Sequence, residues 1–545
     1  MYSAIRAMFA GRREIIMLKK YIDEVEFFTI KELLFMIAFS IIFILKGFGV
    51  YDGLVAFKIF MPLVLSFIIL KYILESHSVK EIICSGCLVV LFSILFFITN
   101  NKGYIISVMI FLGMKDISVK KLFCFGAIAS IISLMVNYIL FRFEINVGDV
   151  RIHHKLGGEI LRYSLGNSHP NSMHMTYVIM TILVLYSLKD SKRKLGIWNA
   201  ILMCISILLC AFTLSYTGMI LSVLIFGGVC YLYITYGMNN IKAEKMVPFV
   251  ILAVCIIFST IVPYLLIKDS VIFEKINRIF HTRISLLLSY FEAYSVSLFP
   301  QRINDYSKIW YQLDNSYAEL LLETGIIVFC IFIIALIFTI NSLNKNNERF
   351  AILFIVIQLI GGITDPYLFN SSARNLIIIW MGQCYFEWLY QSDSKNHIEI
   401  SCLRKIGNIS VGVPVAYNRI SMNKPLIYKI AFISLIAALV TTICIVSFRT
   451  YPQGYGVGYY KFEGGFFESD ENIHISTYSD VMDDKSIVIY NVSNPNDRVV
   501  YFDTKRMQTI EKCRDAVLTF INTYVIILLV FGFGCGAINL KKGKD

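Results

Sequence analysis

Residues 317 to 340 read YAELLLETGIIVFCIFIIALIFTI, and after Glu323 no charged residue interrupts the run. A helix crossing about 30 Å of hydrocarbon needs roughly 20 such residues, so this stretch predicts a membrane-spanning helix rather than a soluble core helix. The rest of the chain agrees. Of 545 residues, 57% are hydrophobic and 16% are charged, with a mean hydropathy of +0.67. Soluble domains run nearer half apolar and a quarter charged, so most of this surface has lipid for a solvent. Working outward, apolar runs predict spans at 33–50, 54–71, 82–99, 102–114, 122–142, 172–188, 195–212, 217–236, 247–267, 317–340, 350–364, 375–391, 426–447 and 517–540. The fold class expected is an all-α polytopic integral membrane protein of about 14 transmembrane helices.

Lysine and arginine in short loops are retained on the cytoplasmic side during insertion. Lys19, Lys20, Lys115, Lys120, Lys121, Lys189, Lys192, Lys242, Lys245, Arg404, Lys405, Lys541 and Lys542 all fall on that side if both termini are cytoplasmic. This orientation signal accounts for much of the net charge of +12, so no nucleic-acid partner is implied. The first apolar run lacks a small-residue cleavage site, and the first span is expected to be retained. The 13 cysteines lie mostly within or beside spans and build no extracellular disulfide framework. Cys84 and Cys87 form a CxxC without the second pair that a zinc site needs.

Three external segments are long: 143–171, 268–316 and 448–516. The first carries Arg151, His153, His154, Arg162 and the string Gly166-Asn167-Ser168-His169-Pro170-Asn171. Asn167 or Ser168 can cap a helix there, and Pro170 suits a first helical turn, whose free N-H groups favour an anion. The second has a helical pattern around Phe273 to Tyr294 and ends in Trp310, Asp314, Asn315 and Tyr317; an interfacial anchor is the ordinary reading of Trp310. Glu319 and Glu323 follow on the same helical face, where a carboxylate needs a polar cavity or an arginine that ties helices together. The third predicts strands at Ile473–Tyr478, Ser486–Val492 and Arg498–Phe502, a small external β-rich module near the C-terminus. The expected organisation is a transmembrane domain with external loops over 1–391, a cytoplasmic basic linker over 392–425 and a two-helix accessory region over 426–545.

External arginines beside a bilayer suit a lipid-borne phosphate, because a guanidinium grips two oxygens and keeps its charge. His153, His154, His169, His174, Asp314 and Asp365 are the side chains placed to accept a proton. There is neither a metal-ligand spacing nor an Asp-x-Asp motif, so no cofactor or metal is called for and arginine carries the cationic role.

Arg162 with Gly166-Asn167-Ser168-His169-Pro170-Asn171-Ser172-Met173-His174, then Thr213-Leu214-Ser215-Tyr216-Thr217-Gly218, and Asp314-Asn315-Ser316-Tyr317 with Leu320-Leu321-Leu322-Glu323-Thr324-Gly325, resemble the bacterial O-antigen and capsular polysaccharide polymerases and the related O-antigen ligases. The resemblance covers roughly residues 30 to 390, and all three strings fall on the external side. It implies a glycosyltransferase of the bacterial cytoplasmic membrane, serving capsule, exopolysaccharide or O-antigen biosynthesis. The growing chain would leave undecaprenyl pyrophosphate, by metal-independent inversion, for a hydroxyl of the next undecaprenyl-pyrophosphate-linked oligosaccharide.

By matching motif, the resemblance assigns pyrophosphate binding to Arg162 and Arg283, with Arg151 beside them. The general base is Asp314 or His169, Asn315 and Tyr317 position substrate, and Asn171 with His174 lines the cleft. This chain departs from the pattern at Tyr216, where relatives often carry arginine, at Asp314, where ligases place histidine, and at Pro300, usually glycine. Arg374 is a candidate to supply the missing contact. Membrane lipid and the pathway's flippase and chain-length regulator are the partners implied. Two other readings stay open: a ligase that uses a different acceptor, and a lipid-linked oligosaccharide flippase or transporter. Transporters usually show internal repeats and charges near the midplane, which this sequence lacks.

Overall fold

The computed structural model describes residues 25–143, 145–146, 148, 150–155, 158–237, 242–265, 270–280, 282–303, 309, 312–368, 374–392, 397–398, 401–414, 424–448, 458–463, 466–469, 498–500, 509–510 and 512–527. In chain order the helices are α1 (Ile30–Gly47), α2 (Val55–Ile73), α3 (Val79–Thr99), α4 (Gly103–Leu112), α5 (Val119–Arg142), α6 (Pro170–Ser187), α7 (Lys192–Thr213), α8 (Tyr216–Ile234) and α9 (Lys242–Thr260). Then come α10 (Val262–Leu265), α11 (Val271–Ile279), α12 (Arg283–Ala293), α13 (Ser316–Lys345), α14 (Arg349–Gly361), α15 (Ile377–Ser392), α16 (Ser401–Gly407), α17 (Lys424–Phe448) and α18 (512–527).

Seven of these, α2, α3, α5, α7, α8, α9 and α13, are long and apolar enough to cross a membrane, and α4 and α14 are shorter apolar helices. The protein is therefore helical and membrane-embedded. Exposed side chains such as Ile83, Phe97, Ile132 and Ile334 make an apolar outer surface that water would not tolerate. The helix α6 is different, because 15 of its 18 residues are buried. It reads as apolar all round in sequence and sits at the centre of the bundle, in contact with α5, α7 and α8. Next to it, fully buried Trp380 packs edge-on to Phe123 at 5.3 Å and Tyr186 at 5.7 Å.

Strands are few among the described residues. β1 (Val25–Thr29) pairs with β6 (Ser410–Pro414), β2 (His77–Ser78) with β5 (His397–Ile398), and β3 (Val150–Lys155) with β4 (Gly158–Tyr163). In the predicted C-terminal module, β7 (Gly458–Glu463) lies between β8 (Phe466–Ser469) and β9 (Arg498–Val500). The strands expected at Ile473–Tyr478 and Ser486–Val492, and the anchor Trp310, lie outside the described residues. The predicted span 517–540 is described only as far as 527, within α18, which returns to the bundle: Arg514 donates from Nε to the Ala211 carbonyl at 2.9 Å.

The bundle has two polar ends. One gathers buried or part-buried ion pairs, Lys71–Glu75 at 2.6 Å, Lys115–Glu81 at 2.6 Å, Lys189–Glu348 at 2.6 Å and Arg349–Glu244 at 2.5 Å. The other gathers the C-terminus of α1, the α3–α4 turn, the β3–β4 hairpin, the start of α6, the α7–α8 turn, the start of α13 and the segment between α14 and α15. The geometry of that second end depends on a break in α13. Gly325 has φ +78° and ψ 166°, and a Cβ on it would lie 2.7 Å from the backbone of Leu298 and Phe299. The loop takes the freed groups: Ile326 N-H donates to Ser297 O at 2.9 Å, and Gln301 N-H to Glu323 O at 2.9 Å. Gly325→Ala is thus expected to cost about 1–3 kcal/mol from backbone strain alone, read as a lower melting temperature of the detergent-solubilised protein.

Candidate functional site

The β3–β4 hairpin sets Arg151 opposite Arg162 in antiparallel register. Arg162 is buried, donates from Nε to the Thr213 carbonyl at 2.7 Å and from Nη2 to Asn171 Oδ1 at 2.5 Å. Thr213 ends α7, and its carbonyl is one that the helix itself cannot satisfy. Two donors of this guanidinium therefore tie the hairpin to the end of α7 and the start of α6, where the sequence suggests an open phosphate contact. Asn171 is the other half of that tie.

His169, not Asn167 or Ser168, is the N-cap of α6, its Nδ1 accepting from the Asn171 amide at 3.0 Å. The one basic lone pair of the neutral ring, at Nδ1, is thus engaged in the cap. His174 lies one turn further and is fully buried, with Nδ1 3.3 Å from Thr213 Oγ1 and Nε2 3.0 Å from Ser206 Oγ. Both ring nitrogens are used inside the bundle, so His174 lines no cleft.

The Asp314–Tyr317 string divides by position. Asn315 is the N-cap of α13, accepting from the Tyr317 and Ala318 amides at 3.0 Å each, and its Nδ2 donates to Ser259 Oγ at 2.9 Å and Ile363 O at 3.1 Å. Tyr317 is buried and donates to the Leu359 carbonyl at 2.7 Å. Both are therefore framework residues, placed by the start of a helix rather than open to a ligand. Asn315→Ala is expected to remove the cap, worth about 0.5–2 kcal/mol, and to lower the melting temperature before any change in ligand affinity.

Asp314, directly before that cap, opens to the second end of the bundle. Arg283, the first residue of α12, places Nη2 3.2 Å from Asp314 Oδ2. A second pair stands beside it, with Arg374 Nη1 3.7 Å from Asp365 Oδ2. The pairs are coupled, since Asp365 feels the charges of both arginines and Asp314 feels Asp365. Burial pushes the Asp314 carboxyl up to about 6, Asp365 adds to the rise and Arg283 opposes it. Burial likewise raises Asp365 against the pull of Arg374 and Arg283. The Nε atoms of both arginines are buried and have no acceptor among the described residues. Buried donors of this kind are rare in folded proteins, and two of them converging on one polar mouth suit an anion.

Behind this mouth, Glu323 Oε2 accepts from Asn101 Nδ2 at 3.0 Å and Tyr104 Oη at 2.7 Å. The glutamate has thus found hydroxyl and amide partners on the α3–α4 turn instead of an arginine. An apolar cavity of about 110 Å³ lies alongside, lined by Tyr104 and Leu320 near Glu323 and by Leu95, Phe332, Ile378 and Met381. The pairing of Asp365 with Arg374 and the role of Asn101 were not assigned from sequence. Their only signal is that polar residues stand immediately at the ends of apolar runs. The chain matches no protein-family model, no curated protein and no solved structure.

Proposed function

We propose that this protein extends a polysaccharide by moving the growing glycan from a lipid diphosphate to a hydroxyl of the next lipid-linked repeat unit. The observation that carries the reading is the Arg283–Asp314 pair at a polar mouth of a membrane-embedded bundle, with the Arg283 Nε buried and lacking an acceptor among the described residues. A guanidinium that keeps spare donors beside a carboxylate of raised pKa supplies an anion grip and a proton acceptor in one place. The apolar cavity near Glu323 leaves a dry, lipid-compatible wall next to the mouth. The resemblance to bacterial O-antigen and capsular polysaccharide polymerases points the same way.

In this reading Asp314 takes the proton of the acceptor hydroxyl, and the oxygen attacks the anomeric carbon of the growing chain. The bond from that carbon to the diphosphate oxygen breaks with inversion, and the lipid diphosphate leaves with the electron pair, its charge held by Arg283. Arg162 keeps the hairpin and the α7–α8 turn in register beneath the reacting groups. The arginine end faces outward and the lysine-rich end inward, in a bacterial plasma membrane crossed about 14 times. The strands β7–β9 belong to an accessory external module.

A micelle has no compartments, which separates this reading from that of a flippase. Purified protein in detergent, supplied with a lipid-diphosphate-linked repeat unit, is expected to lengthen the glycans. Glycans of unchanged length would contradict the proposal.

A further inference from the structure

Arg374 and Asp365 sit in the connection between α14 and α15, outside the strings that suggested a function, yet they duplicate the Arg283–Asp314 arrangement. In each pair one terminal guanidinium nitrogen faces one carboxylate oxygen, at 3.2 Å and 3.7 Å. The first is at the long limit of a hydrogen bond and the second exceeds it, so neither is the bidentate fork that arginine forms with a lasting carboxylate partner. Both Nε donors remain without an acceptor among the described residues. The four side chains are 13–42% exposed, enough for a ligand to reach them. Lys46, at the last turn of α1, lies within electrostatic reach of Arg374.

We propose that Arg374 is a second diphosphate-binding residue and that the donor binds by exchange, its diphosphate displacing Asp314 and Asp365 from the two guanidiniums. The exchange rests on the diphosphate donor of the proposed function and adds an order to it. Two guanidiniums match the two charges of a diphosphate diester, and each offers Nε plus a terminal nitrogen for a bidentate contact. Until the donor arrives, Asp314 is held by Arg283; once it is seated, Asp314 is released as a stronger base, and its ionised fraction, which grows as pH rises, takes the proton of the acceptor hydroxyl. Proton abstraction without a donor in place is thereby suppressed.

The groups facing Asp314 give the exchange a protonic signature. Arg283 on α12 stabilises its charge, while Asp365 after α14 opposes it; Glu319 on α13 lies within electrostatic reach, and Arg374 acts on Asp365. Losing Arg283 to the ligand and gaining a neighbouring diphosphate both favour the protonated carboxyl. Donor binding near pH 6.5 is therefore accompanied by proton uptake at Asp314.

The test is calorimetric titration of the full chain in nanodiscs at pH 6.5, in two buffers of different ionisation enthalpy. The probes are farnesyl diphosphate, farnesyl monophosphate and inorganic diphosphate. Wild type is expected to bind farnesyl diphosphate most tightly, with proton uptake that Asp314→Asn reduces. Arg374→Ala is expected to weaken that binding about tenfold to a hundredfold, the scale of charge-assisted hydrogen bonds, with Arg374→Lys in between. Asp365→Asn is expected to tighten it about twofold to fivefold by removing a competitor of a part-exposed ion pair; a merely structural role would not give that sign.

Unchanged binding in both Arg374 variants, weaker binding in Asp365→Asn, or uptake that persists in Asp314→Asn overturns the exchange alone. Equal binding of inorganic diphosphate overturns a lipid-borne source for the ligand. Failure of wild type to bind farnesyl diphosphate sinks the diphosphate donor itself.

Discussion

Arg283→Ala is expected to lower the rate of glycan extension by about 10³-fold, the scale of removing a group that stabilises charge in the transition state, while the protein remains folded in the membrane. The variant takes away the guanidinium that would hold the leaving diphosphate. Its structural role is small: its ion pair with Asp314 is a single 3.2 Å approach at the partly desolvated rim of the mouth, and part-exposed ion pairs contribute about 0–1 kcal/mol. Loss of activity with an unchanged melting temperature therefore separates catalysis from folding. Arg283→Lys keeps the charge without the planar fork and should fall between. Extension at the wild-type rate by Arg283→Ala, assayed in detergent with a lipid-linked repeat unit, would remove the arginine from the chemistry.

Asp314→Asn carries the second large effect. A general base is worth about 10² to 10⁴ in rate, and the amide cannot accept the proton. The pH dependence has a defined sign. The active form is the carboxylate, and burial raises its pKa to about 6, so the wild-type rate should rise with pH through that region and fall below it. In Asp314→Asn that acid limb should vanish along with most of the rate. An acid limb retained at the same pH would assign the base elsewhere.

Much of the framework was legible in the sequence. The run quoted from 317 to 340 lies within α13, the pattern from Phe273 to Tyr294 gives α11 and α12, and Pro170 opens α6. These are local features: an apolar run, a 3.6-residue period and a residue that fits only a first helical turn. What stayed hidden was which polar residue faces out. His169 and Asn315 are of catalytic type, yet each stands one residue before a helix, where an unsatisfied amide claims its side chain. His174 and Tyr317 lie on helices whose neighbours cover them, and periodicity does not distinguish a buried face from one lining a polar mouth. The Arg374–Asp365 pair belongs to a connection too short to carry a pattern, and only the third dimension sets it beside Arg283.

The break at Gly325 shows the same limit. Its string, Leu322-Glu323-Thr324-Gly325, looks like the continuation of a span, and the glycine's positive φ depends on the Ser295–Gln301 loop returning to bond with both sides of the break. The resulting short first segment of α13 is what brings Asp314 to the mouth and lets Glu323 meet Asn101 and Tyr104.

A single-turnover measurement on the purified protein tests the central claim most directly. Wild type in nanodiscs is loaded with a doubly labelled lipid-diphosphate-linked repeat unit, and free lipid diphosphate is counted against new glycosidic bonds. One lipid diphosphate released per bond formed, with both lost in Arg283→Ala, is the result predicted. Bonds without that release, or release that never lengthens a glycan, would contradict the account.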